Sequence, residues 1–145
     1  MKEWIANIFS KREEKGDFFG GVEDEFINQL EKSLDCKFPD SYRWFLKHYG
    51  GGGILGIDLT CAGYRDNSPI LSETGLYREM GIPNSYVMIW DVGEYVYCLD
   101  TSSLVNSECP VVTWDFVSKK TVLEAKDFYE FLSRKLKSAL EDYED

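Results

Sequence analysis

The order of helical and extended patterns along the chain is the feature that most constrains its fold. Apolar residues recur at helical spacing near both ends, in residues 1–15, 22–35, 40–49 and 127–145. The middle is rich in Val, Ile and Tyr and reads as extended, in residues 54–62, 86–92, 94–101 and 109–116. Because helices gather at the ends instead of alternating with strands, we predict an α+β fold with a largely antiparallel sheet and flanking helices.

Helix boundaries are predicted from capping residues. After Pro39, either Asp40 or Ser41 is placed to accept from the free N–H groups that open the second major helix. A further helix is predicted from Ser68 as cap, with Pro69 at its first position because that position needs no N–H donor, to about residue 81.

The chain length of 145 residues fits one compact domain. Within it, we divide residues 1–20, an N-terminal helical arm, from the main domain at residues 21–145. The arm carries a helical apolar stripe and is followed by the loop "KGDFFGG". Two placements are open: the arm packs back on the domain, which the stripe favours, or it reaches out to a partner.

Charge restricts the class of partner. Asp and Glu total 26 against 16 Lys and Arg, a net charge of −10. Such a surface repels nucleic-acid phosphates and anionic membranes, but it attracts a basic protein. The first fifteen residues lack the apolar core of a signal peptide, and no apolar run reaches the roughly 18 residues of a membrane span. We therefore expect a cytoplasmic protein that binds neither nucleic acid nor membrane.

Four consecutive glycines, Gly50 to Gly53, raise the possibility of a phosphate-binding loop. A P-loop, however, follows a strand, precedes a helix and ends in Lys-Ser or Lys-Thr. Here the predicted order is helix, glycines, strand, and no Lys or Arg occurs between His48 and Arg65. We interpret Gly50 as the residue that ends the helix and the others as a bend into the next strand. No cofactor is expected.

Metal binding and catalysis find little support. The four cysteines have no C-x-x-C spacing. Extended segments are followed by four aspartates: Asp58, Asp91, Asp100 and Asp115. In an antiparallel hairpin, however, consecutive strands end at opposite edges of the sheet. Two of them can share an edge, with backbones roughly 10 Å apart, which is far for a common ion. The only histidine, His48, lies on a predicted helix, and no G-x-S-x-G elbow occurs. We expect no metal and no enzymatic activity.

Several segments in order resemble one known family. "LEKSLDCKFPDSYRWFLKHYGGG" (30–52) is similar to the opening signature of the SUKH superfamily, with a Leu-Glu pair, an apolar-Pro step, an aromatic helix and a Gly-rich exit. "WDVGEYVYCLDT", "CPVVTWD" and "DFYEFLSRKL" resemble its hairpin, its Pro-Val strand and its closing helix. The resemblance covers residues 22–136 and leaves the N-terminal arm outside.

The SUKH resemblance implies an α+β, non-catalytic protein-binding role. The superfamily is named partly for a yeast cell-wall-synthesis regulator and includes many bacterial immunity proteins that neutralise toxins, often nucleases. We therefore predict an immunity protein (antitoxin) that binds a cognate polymorphic toxin, with a basic nuclease domain as its partner. An intracellular regulatory scaffold of a cell-wall or signalling pathway is the alternative. From charge and expected exposure, the partner-binding residues are predicted to be Asp91, Glu94 and Asp115.

Overall fold

Helices flank a single sheet in the structure, a computed structural model that describes residues 1–144. No helix of this described part is long and apolar enough to cross a bilayer. The order of elements confirms the α+β prediction. They are α1 (Lys2–Arg12), α2 (Asp24–Leu34), α3 (Asp40–His48), α4 (Pro69–Glu79), β1 (Tyr86–Asp91), β2 (Tyr95–Asp100), β3 (Val111–Asp115), β4 (Thr121–Ala125) and α5 (Phe128–Glu144), with a 3₁₀ turn at Thr101–Ser103.

The sheet is an antiparallel meander in the order β1-β2-β3-β4, so each strand pairs with its neighbours in sequence. Its two faces carry separate apolar clusters because side chains alternate along each strand. Val87, Tyr97 and Leu99 join the main core under the helices. The opposite face carries a smaller cluster that α4 covers in part: Ile82, Tyr86, Met88, Val96, Cys98, Val112 and Trp114.

The N-terminal helix α1 belongs to the main core. Ile5 and Phe9 are fully buried, and α1 packs against α5. The ring of Phe9 lies 4.8 Å from that of Phe18 and 5.0 Å from that of Tyr49. Of the two placements considered for the arm, the chain adopts the one that packs back on the domain.

The strand predicted at residues 54–62 is wrong. The chain turns there, since Leu55 and Gly56 have φ of 55° and 84° and Ile57 N–H donates to the carbonyl of Ile54 over 3.0 Å. Only an isolated bridge between Gly52 and Leu59 is extended pairing. A strand at residues 121–125 was not predicted, but β4 pairs there with β3 at the far edge of the sheet.

The glycine run packs three backbone segments closely together. A Cβ on Gly50 would lie 2.0 Å from the carbonyl oxygen of Gly20, and one on Gly51 would lie 2.5 Å from Cα of Cys61. The N–H groups of Gly50, Gly52 and Gly53 already donate to backbone carbonyls over 3.2, 2.8 and 3.0 Å. Because these three N–H groups are already hydrogen-bonded within the fold, the loop does not present them to a phosphate.

The start of α3 is capped from a distant segment. Neither Asp40 nor Ser41 is the cap, because the helix begins directly after Pro39, whose side chain accepts nothing. Instead Glu108 accepts from the backbone N–H of Ser41 over 3.0 Å and from its hydroxyl over 2.5 Å. The cap predicted at Ser68 is confirmed, since its hydroxyl accepts from the N–H of Leu71 over 3.4 Å.

Candidate protein-binding surface

The β1–β2 turn presents Glu94 at its tip. The carboxylate of Asp91 accepts from the N–H of Gly93 over 2.8 Å, and Val92 N–H donates to the carbonyl of Tyr95 over 3.2 Å. Gly93 has a φ of 99°, a left-handed conformation that favours glycine. These bonds fix a tight turn and leave the Glu94 side chain exposed.

Asp115 is the last residue of β3, at the same end of the sheet as the β1–β2 turn, and its carboxylate organises the next turn. Its carboxylate accepts from the N–H groups of Ser118 and Val117 over 2.9 and 2.8 Å. These two bonds favour the ionised form and hold the pKa of Asp115 below its ordinary value. Asp115 is therefore negatively charged at neutral pH, while the exposed Lys119 and Lys120 follow it in the same turn.

The three predicted partner-binding residues lie at the same end of the strands. Asp91 pairs with Val96, and Asp115 pairs with Tyr95, so β2 separates the two aspartates and the β1–β2 turn carries Glu94. Asp100 lies at the other end of β2, opposite Tyr86, as the antiparallel argument predicted.

Two further carboxylates lie beside Asp91. Asp58, Glu73 of α4 and Asp91 line a shallow cavity of about 250 Å³. Burial, followed by the charges of Asp91 and Asp58, raises the pKa of Glu73 above its ordinary value. The hydroxyl of Tyr77 donates to Asp91, and burial together with this bond raises the pKa of Tyr77 to about 12. Tyr77 thus positions Asp91 and stays protonated.

Together Asp58, Glu73, Asp91, Glu94 and Asp115 form what we call the acidic edge. Among the described residues, the cavity that Asp58, Glu73 and Asp91 share has neither Lys nor Arg in its lining. Within that same range, no three Asp, Glu, His or Cys side chains converge tightly enough to hold a metal ion. Lys119 and Lys120 follow Asp115 in its turn, but the cavity formed by Asp58, Glu73 and Asp91 has no cation in its described lining. This uncompensated negative charge is suited to attracting a basic protein surface.

Glu73 is the member of the acidic edge that the sequence analysis missed. It lies on α4, and only the packing of α4 against β1 brings it to Asp91. A helix pattern predicts which side of a helix is buried, but it does not predict which strand the helix covers. The sequence suggests Asp58 only as a metal ligand, because it predicts a strand for that segment.

The Leu30-Glu31 pair, which carried part of the resemblance, is structural. Leu30 is fully buried in the main core. Glu31 is 6% exposed, and its carboxylate accepts from the N–H of Phe38 and pairs with Arg43, each over 2.7 Å. Glu31 therefore ties the α2–α3 loop to both helices and is not available to a partner.

Comparison with known proteins agrees with the fold and these motifs. The architecture is that of an α+β domain with an antiparallel meander under flanking helices. The family model SUKH_5, described as SMI1-KNR4 cell-wall, matches residues 1–137. The chain therefore belongs to the SUKH superfamily, and the match includes the N-terminal helix as well as the motifs of residues 22–136.

A solved structure shares this fold. It is a protein from Pseudomonas syringae pv. tomato, whose crystal structure superimposes with a TM-score of 0.71 and 14% sequence identity. The alignment covers 94% of this chain and 97% of the other. At that identity the likeness concerns the fold alone.

Proposed function

We propose that the protein is an immunity protein, which binds a cognate toxin in the cytoplasm and blocks it by stoichiometric protein–protein inhibition. Membership of a superfamily with many immunity proteins supports this role. The toxin is a basic domain, and a nuclease fits best, because a nuclease active site that binds phosphates attracts the same negative charge that the inhibitor carries.

The acidic edge is the observation that carries the proposal. Glu94 and Asp91 are exposed, and neighbouring Asp58 and Glu73 add charge to the same side of the molecule. Charges of one sign on a protein surface steer a complementary partner and raise its association rate, and salt weakens that effect. The predicted contact residues Asp91, Glu94 and Asp115 thus act mainly on association.

Apolar groups next to the acidic edge supply the close contact. Val92 is 36% exposed beside Glu94, and Val117 is 93% exposed beyond Asp115. Burying exposed apolar side chains at the centre of an interface slows dissociation, whereas charges around it act on the encounter. We therefore place Val92 in the centre of the proposed interface and Glu94 at its rim.

A regulatory scaffold is the second candidate, and the cell-wall description of the matching family model favours it. Such a scaffold binds a partner of its own pathway, and its loss has a phenotype in cells that meet no toxin. The two candidate functions differ in the partner that the protein binds and in whether its loss has a phenotype only when a toxin is present.

Affinity capture of the tagged protein from its native host, at low and high salt, tests the proposal. We expect mass spectrometry to identify one basic toxin domain in a one-to-one ratio. Recovery of cell-envelope factors in its place would favour the scaffold.

With the captured domain in hand, Glu94→Lys combined with Glu73→Lys should slow association about tenfold, with much less change in dissociation. The matched control combines Glu13→Lys with Glu141→Lys, two exposed residues away from the acidic edge. Equal slowing in both pairs would assign the effect to net charge and remove the acidic edge from the interface.

A further inference from the structure

The free side of β4 is the least protected backbone in the sheet. At the other edge, β1 is covered: Thr60 N–H donates to the carbonyl of Ile89 over 2.9 Å, and Thr74 of α4 accepts from the N–H of Met88 over 3.2 Å. On β4, the described residues supply one such contact, from Arg134 to the carbonyl of Glu124 over 2.8 Å. Residues 121–123 therefore keep an uncovered edge.

Apolar side chains stand on both sides of this edge. Val122 is 60% exposed and pairs with Thr113, and Leu123 is 66% exposed and pairs with Val112. Since alternate residues point to opposite faces, an added strand would contact Val122 on one face and Leu123 on the other. Unpaired strand edges with exposed apolar side chains bind extended segments as additional strands.

The charge at this edge is opposite to that of the protein as a whole. Lys119, Lys120 and Lys126 flank Val122 and Leu123 and are exposed. The acidic residue in the strand, Glu124, faces a cation of its own, because Lys135 Nζ lies 3.6 Å from its carboxylate. The carboxylate of Asp115 lies in the same turn as Lys119 and Lys120. Residues 119–126 nevertheless carry three lysines and one glutamate, so in a chain of net charge −10 this strand is a local basic edge.

A second copy of the chain fits this edge poorly. Antiparallel pairing of two β4 strands about Leu123 would place Lys120 of each copy opposite Lys126 of the other, and like charges in facing positions are destabilising. Each copy also carries a net charge of −10, which opposes association at low salt. The complementary occupant is an acidic strand.

We propose that the β4 edge, residues 119–126, binds an extended acidic segment of another protein as a fifth strand of the sheet. Backbone hydrogen bonds along residues 121–123 hold the segment, Val122 and Leu123 contact its alternate side chains, and the flanking lysines pair with its carboxylates. This surface goes beyond the toxin-binding role, since its charge is opposite to that of the acidic edge.

The test uses the full chain and a fluorescein-labelled octapeptide of alternating Glu and Val. Two peptides serve as controls: a Lys–Val repeat of opposite charge, and a Glu–Pro repeat whose prolines have no N–H to donate. The test variant combines Lys119→Glu, Lys120→Glu and Lys126→Glu. The matched variant makes the same charge change at three exposed lysines elsewhere, namely Lys11, Lys15 and Lys32.

We expect fluorescence anisotropy to show that only the Glu–Val peptide binds, and that the test variant weakens its binding about tenfold. The matched variant should change binding by about twofold at most. Amide hydrogen exchange should slow at residues 121–123 in the complex, which a purely electrostatic contact would not produce.

Failure of the Glu–Val peptide to bind at millimolar concentration overturns the proposal. So does equal binding of the Glu–Pro peptide, or equal weakening in both triple variants. Sedimentation of the free protein adds one more outcome: a dimer that itself slows exchange at residues 121–123 would assign the edge to a second copy instead.

Discussion

Replacing Glu31 by alanine should destabilise the protein by about 3 kcal/mol. The substitution leaves the buried N–H of Phe38 without its acceptor, which costs about 1–3 kcal/mol. It also removes the partner of Arg43, and breaking a fully buried ion pair costs about 3–5 kcal/mol. The Arg43 side chain is 25% exposed and also donates to Asn28 over 3.0 Å, so water and this amide recover much of the second loss.

Urea unfolding followed by tryptophan fluorescence measures this loss. Glu31→Gln keeps an oxygen for the Phe38 N–H but removes the charge, so we expect it to lose about half as much as Glu31→Ala. Glu25→Ala is the matched control, because Glu25 pairs with Arg65 over 3.4 Å at a site where both side chains are largely exposed; it should cost less than about 0.5 kcal/mol. A loss below about 1 kcal/mol for Glu31→Ala would refute the structural role given to the Leu-Glu pair.

Three further outcomes follow from single groups. Tyr42 is fully buried and its hydroxyl has no hydrogen-bond partner within the described range, so Tyr42→Phe should raise the free energy of unfolding by about 1 kcal/mol, and a loss in urea unfolding would contradict this. The raised pKa of Glu73 means that the folded state binds its proton more tightly than the unfolded state does, so this group's stabilisation is complete below its ordinary pKa of 4.5 and is lost as pH rises through the folded value. Glu73→Gln should therefore stabilise the protein by about 0.5 kcal/mol at pH 7 and by less below pH 4, which urea unfolding at both pH values checks. Gly51→Ala should lower the free energy of unfolding by about 2–4 kcal/mol, because the added Cβ would lie 2.5 Å from backbone and the φ of Gly51 is 140°. Gly75→Ala, in open space on α4, should raise it by up to about 1 kcal/mol. Equal shifts of the melting temperature in the two variants would refute the close-packing argument.

The sequence predicted the helices and the β1–β2 hairpin because their apolar residues repeat with a clear period. It failed at residues 54–62 for a physical reason. Ile54, Ile57 and Leu59 are 5%, 5% and 1% exposed, so their apolar character does report burial. Burial does not require a strand, however, and here the backbone turns at Leu55 and Gly56 while the side chains still enter the core.

The strand β4 was missed for the opposite reason. Thr121, Val122 and Leu123 are exposed on both faces of the sheet edge, so no contrast between an apolar and a polar face marks them as a strand. Only pairing with β3 defines their conformation.

Prediction of the acidic edge was limited in the same way. The turn residue Glu94 and the strand-end residues Asp91 and Asp115 could be placed from the antiparallel order of the strands. The position of Glu73 depends on tertiary packing of α4. Likewise, Glu108 caps α3 from 67 residues away, a distance over which capping rules carry no information.

The contact of α1 with α5 joins the two ends of the described chain, and this has a consequence for how the protein folds. The meander needs only neighbouring strands to meet, so it can form from contacts that are short in sequence. Docking of α1 on α5 closes nearly the whole chain into a loop, which costs chain entropy. The contacts between the two helices offset this cost only after the elements between them have folded. We therefore expect the N-terminal helix to dock last and to open first.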